Sequence, residues 1–111
     1  MNKFERLKSE LETTGSGKMK AYGNSMLPLL KSGSLLTFYQ QTTYSVGDIV
    51  FCKVNGRYID AHKIVKTDRN KGYLIANKHG HENGWTKIIY GKVILGEFRN
   101  QVIYSKEIVA T

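Results

Sequence analysis

Asp48-Ile49-Val50-Phe51-Cys52-Lys53-Val54-Asn55-Gly56-Arg57-Tyr58-Ile59-Asp60-Ala61-His62-Lys63-Ile64-Val65-Lys66 is the stretch that decides the fold. Two runs rich in aliphatic and aromatic residues flank Asn55-Gly56, the pair best suited to the positive backbone angles of a two-residue hairpin turn. The pattern predicts strands from Asp48 to Val54 and from Arg57 to Lys66. In the second strand a period of two puts Asp60, His62 and Ile64 on one face and Lys63 with Val65 on the other. His62 is therefore either a general base aimed at a site or a half-exposed strand residue, and the residues alone leave both readings open.

Toward the C-terminus, Asp68-Arg69-Asn70-Lys71-Gly72 reads as a turn before a strand from Tyr73 to Asn77. Lys78 to Gly84 reads as a loop, followed by Trp85 and one long strand-like stretch from Thr86 to Phe98, with Val102 to Tyr104 returning beside it. Gly91 and Gly96 inside that stretch predict bulges or sharp bends. Toward the N-terminus, Leu35 to Gln40 and Met19 to Tyr22 predict two more strands. Asn2 with Glu5 forms a capping-box pattern, and Phe4, Leu7 and Leu11 share one helical face, so a helix is expected over about residues 3–12. Its apolar stripe would dock on the domain or on a second copy, which makes a homodimer one expected partner. Thr13 to Gly17 reads as a flexible exit. The fold class is mainly β, with strongly bent sheets or a partly open barrel and one short N-terminal helix, divided into residues 1–17 and a domain over 18–111.

A chain of 111 residues with one hydrophobic core's worth of apolar side chains is a single domain. Cys52 is the only cysteine, which excludes an intrachain disulfide and suits a reducing compartment. No run is as long as a transmembrane helix, and the charged Met1 to Arg6 is unlike a signal peptide, so a soluble, cytoplasmic protein is expected. The net charge of +8 would attract nucleic acid or an anionic membrane. The lysines are scattered, however, and Lys53, Arg57, Tyr58, Lys63 and Lys66 show no ordered stacking pattern, so solubility charge is the simpler reading.

Gly23-Asn24-Ser25-Met26-Leu27-Pro28-Leu29-Leu30-Lys31-Ser32-Gly33 lies between two predicted strands. It sets a hydroxyl between a Gly-Asn pair and an apolar turn, where Ser25 is a nucleophile if a base reaches it and a turn residue if none does. Asn24, Asn77 and Asn83 could each supply a side-chain amide to an oxyanion site or orient a base, and each also suits a turn or strand end. His79-Gly80-His81 beside Glu82 falls short of a dependable zinc pattern. No metal and no cofactor is expected.

The order of four blocks adds to these readings. Gly23-Asn24-Ser25-Met26-Leu27-Pro28-Leu29, Gly47-Asp48-Ile49-Val50, His62-Lys63-Ile64-Val65 and Gly91-Lys92-Val93 together resemble the serine peptidases that join type I signal peptidases with LexA-type self-cleaving repressors. The resemblance spans about residues 19–95. It implies a compact, strongly bent β fold with Ser25 as nucleophile and the Ser25 backbone N–H in the oxyanion hole. His62 falls where most bacterial members have a catalytic Lys, and a His there is similar to the Ser-His branch of signal peptidases. For the residue that orients the base, the resemblance offers Asn77, as in the LexA-type block, or His81, at the signal-peptidase Asp; Asp60 is a local substitute and Asn24 a further oxyanion candidate. The implied activity is hydrolysis of a peptide bond in a peptide or protein substrate through an acyl-enzyme. The alternative is a peptidase-fold module with little catalysis that binds a partner protein or nucleic acid, and the absence of an Ala-Gly self-cleavage pair favours it. Geometry discriminates: Ser25 Oγ within hydrogen-bond reach of the His62 ring supports the enzyme, and a wide separation supports the module.

Overall fold

The computed structural model describes residues 1–108. Helix α1 (Lys3–Thr14) is followed by β1 (Ser16–Ala21), β2 (Ser34–Tyr39), β3 (Ile49–Val54), β4 (Arg57–Asp68), β5 (Gly72–Ala76), β6 (Glu82–Thr86), β7 (Ile89–Phe98) and β8 (Gln101–Ser105). The strands form one sheet in the order β1-β2-β7-β3-β4-β5-β6, every neighbouring pair antiparallel, with β8 also on β7. The first half of β7 lies against β3 and its second half against β8. The fold is thus mainly β, with one helix and a strongly curled, half-barrel sheet.

Local chemistry explains the elements. Asn55 and Gly56 take φ of 49° and 79°, the left-handed pair that a tight hairpin between β3 and β4 requires. Arg99 and Asn100 do the same between β7 and β8, at φ of 51° and 64°, without the glycine that makes such turns readable. Asn2 Oδ1 accepts from the Glu5 N–H at 2.9 Å and starts α1, and Gly15 in the left-handed region ends it by donating to Leu11 O. Leu7 and Leu11 are fully buried against Met19, Leu36, Phe38, Phe51 and Val93, which form the main core.

The flexible exit expected over Thr13 to Gly17 is instead the last helical turn and the start of β1, with Ser16 opposite Tyr39 and Gly17 opposite Phe38. Packing is the reason. A Cβ on Gly17 would stand 2.8 Å from Leu7 Cδ1, so glycine lets the strand pass directly under the helix. The strand-like stretch expected from Thr86 to Phe98, with interruptions at Gly91 and Gly96, breaks instead between Thr86 and Ile89, into the end of β6 and the whole of β7. Thr86 Oγ1 donates to Lys53 O at 2.6 Å and Lys53 N to Ile88 O at 3.1 Å, so the connection is held on β3. This curls β3 to β6 around a second core of Tyr44, Val50, Cys52, Val54, Ile64 and Ile75.

Asp48 is 3 % exposed and accepts from the Ser45 N–H at 2.9 Å, while its other oxygen pairs with Lys106 just after β8. One buried carboxylate thereby ties the entry of β3 to the exit of β8, the two strands that share one side of β7. Part of the cationic excess covers rings, with Lys53 over Tyr58 and Lys71 over Trp85. Among the described residues no helix is long and apolar enough to cross a membrane.

Two outcomes follow from the cores. Leu11→Ala should lower the unfolding free energy by about 3 kcal/mol, read from urea denaturation, because α1 loses its deepest anchor over an unyielding sheet. Burial, with the Asp60 charge second, pushes the Cys52 thiol up to about 12. The native protein should therefore resist iodoacetamide at pH 8, whereas the urea-unfolded chain is alkylated within minutes.

Candidate active site

The serine turn is closed at its base by Gly33 N donating to Ala21 O at 2.7 Å and by Gly23 N donating to Ser32 Oγ at 3.0 Å. Inside it, Leu27 N donates to Asn24 O and Leu30 N to Met26 O, and the Leu27–Pro28 peptide is cis. Met26 and Leu30 are buried in the main core. Apolar burial therefore pins the turn just after Ser25, while Gly23, at φ of 109°, lets the chain swing out of β1 before it. The loop after β5 holds the turn from the other side: Lys78 N donates to Ser25 O at 3.0 Å, and His79 Nε2 donates to Asn24 O at 3.3 Å.

His62 comes to this turn through an irregularity in β4. Val50 is opposite His62 and Cys52 is opposite Ile59, so Phe51 faces two residues, Asp60 and Ala61. This is a β-bulge, and it resets the alternation. Tyr58 and Ala61, three apart, both face the main core, and the face assignment from a strict period of two fails at this point. A second bulge lies in β6. Ile75 is opposite Gly84 and Ala76 opposite Glu82, which leaves Asn83 as the extra residue.

The two bulges converge on one imidazole. Ser25 Oγ stands 3.0 Å from His62 Nε2, and Asn83 Oδ1 stands 2.7 Å from His62 Nδ1. A carbonyl oxygen only accepts, so with Asn83 Oδ1 as its partner a neutral ring carries its proton on Nδ1 and presents the Nε2 lone pair to the Ser25 hydroxyl. That arrangement can take the hydroxyl proton as Oγ attacks an electrophilic carbon.

The other residues singled out in the sequence fall elsewhere. Asp60 is not the partner of His62: the bulge turns it into the wall of a small cavity, and its Oδ1 accepts from the Ala61 N–H at 3.1 Å. Asn77 does not reach the ring either, since its Oδ1 accepts from His79 N and His81 N, both at 2.9 Å, and so shapes the loop. His81 lines a groove with Asn83, and Asn24 meets His79 through its backbone oxygen. Asn83 was legible only as one of three amides; the available signal was its place before a glycine at the end of a loop.

Ser25 adjoins a cavity of about 20 Å³ lined with Tyr22, Gly23, Met26, Asp60 and Ala61, room for about one water-sized group. Asn83 also lines an open groove of about 550 Å³, with Arg57, Tyr58, Ile59, His81 and Glu82.

Residues 6–96 match the family model described as Peptidase S24-like. The chain belongs to this family. In this Peptidase S24-like chain the matched span runs from α1 to Gly96 in β7, so Ser25, His62 and Asn83 all lie inside it. No curated protein matches the chain.

Gly84 has a φ of 130°, and a Cβ there would come within 3.2 Å of Val54 Cγ1. Gly84→Ala should cost about 1–3 kcal/mol in urea denaturation, since it forces an L side chain into backbone space open to glycine alone.

Proposed function

We propose that the protein is a serine peptidase in which Ser25 is the nucleophile and His62 the general base. The observation that carries this reading is the 3.0 Å approach of Ser25 Oγ to His62 Nε2, across 37 positions of sequence. It favours the enzyme over a module that only binds. Membership of the Peptidase S24-like family gives further support.

The chemistry runs in two halves. Ser25 Oγ adds to the carbonyl carbon of the scissile peptide as its proton passes to His62 Nε2, and the negative charge on the carbonyl oxygen is met by the Ser25 backbone N–H. Collapse of that adduct breaks the C–N bond, and Nε2 returns the proton to the departing amine. An ester on Ser25 remains. Water then attacks the ester carbon as one of its protons passes to Nε2, the C–Oγ bond breaks to release the acid, and Nε2 returns the proton to Ser25 Oγ. Gly23 N is not a second oxyanion donor, because Ser32 Oγ already occupies it. The small cavity beside Ser25 favours a substrate with a small side chain next to the cleaved bond.

Labelling with a serine-directed fluorophosphonate tests the reading. The parent protein should take up one phosphonyl group on the peptide containing Ser25, identified by mass spectrometry. Ser25→Ala should take up none, and His62→Ala should react about 100-fold or more slowly. A folded parent that is not labelled, or label retained in Ser25→Ala, would remove the proposal.

A further inference from the structure

We propose that Asn83 is the positioning residue for His62, an uncharged partner that fixes the ring proton on Nδ1 and so turns the Nε2 lone pair toward Ser25. The effect on rate rests on the peptidase reading above; the placement of the proton rests on geometry alone. An asparagine could sit beside a histidine by accident of a loop, but Asn83 does not. It is the extra residue of the β6 bulge, its neighbours Glu82 and Gly84 are fixed opposite Ala76 and Ile75, and the bulge needs the positive φ of Gly84. Bulges of this kind re-aim one side chain out of the alternating pattern. The side chain re-aimed here ends 2.7 Å from Nδ1.

The chemical identity of the partner matters. A carboxylate in this place would orient the ring and also stabilise the imidazolium formed when the serine proton arrives. An amide oxygen supplies orientation and tautomer without the charge. An amide can also present its NH₂ end, which would drive the ring proton to Nε2 and leave no lone pair for Ser25. The oxygen faces the ring, so the site depends on which end of Asn83 points inward.

Nitrogen-15 NMR of the neutral imidazoles tests this directly in the full chain, with the His62 signals assigned by their loss in His62→Gln. The parent should show the Nδ1-protonated tautomer. Asn83→Ala should shift His62 toward the Nε2-protonated form and slow phosphonate labelling of Ser25 by about 10- to 100-fold. Asn83→Asp keeps an acceptor oxygen and should restore the Nδ1–H tautomer, with labelling at least as fast as in the parent. Nε2–H in the parent, or a tautomer and labelling rate in folded Asn83→Ala equal to those of the parent, would overturn the assignment. A parent with the Nδ1–H tautomer that takes up no phosphonate would remove the peptidase reading and keep the positioning of His62 by Asn83.

Discussion

The ring of His62 is bonded at both nitrogens, at 3.0 Å to Ser25 and 2.7 Å to Asn83, and the two bonds come from opposite ends of the sheet's order. Strand geometry makes this a demanding arrangement. A slip of one residue in β4 or β6 would send the side chain concerned to the other face. The bulges at Asp60–Ala61 and at Asn83 are one-residue slips of this kind, and they have to agree with each other through β5, which pairs with both strands. β5 is only five residues long, yet it acts as the ruler between His62 and Asn83.

Phe51 links that constraint to the core. It is the residue that faces the β4 bulge, and its ring lies 4.9 Å from Tyr90, 5.7 Å from Tyr58 and 6.2 Å from Phe4, with Phe38 edge-on at 6.1 Å. Phe4 in turn stacks on Tyr58 at 5.6 Å. The N-terminal helix thus reaches the strand that carries His62 through two aromatic rings. Ring contacts of this sort add to plain area burial, and here they hold β4 at Tyr58, just before its irregular segment. The helix is part of the site's support as much as of the core.

The parts of this architecture that local chemistry dictates were readable from the residues. Asn55-Gly56 declares its hairpin, Asn2 and Glu5 declare a helix start, and the alternation in β4 marks a strand. The Ser25–His62 approach needed the order of four sequence blocks, because no local pattern joins positions 37 residues apart. What escaped was tertiary. Ser16 and Gly17 look like a linker because glycine and serine usually are, and only the Leu7 side chain overhead explains why a strand wants glycine there. Glu82-Asn83-Gly84-Trp85-Thr86 shows no alternation, so β6 read as the end of a loop. The bulge that destroys its pattern is the same one that delivers Asn83. Asp60 was misplaced for the matching reason on β4, where a period of two was carried across a bulge.

Asn77 has a place in this scheme one step removed from the ring. Its side chain accepts from His79 N and His81 N and so sets the shape of the loop between β5 and β6. That loop holds Ser25 through the Lys78 N–H and leads directly into Asn83. Ser25 and the ring partner Asn83 are therefore both attached to one short segment, seven residues from Asn77 to Asn83. Ser25 and Asn83 are thus joined by this loop in addition to their separate supports, the main core under Met26 and Leu30 for the one and the pairing of β6 with β5 for the other.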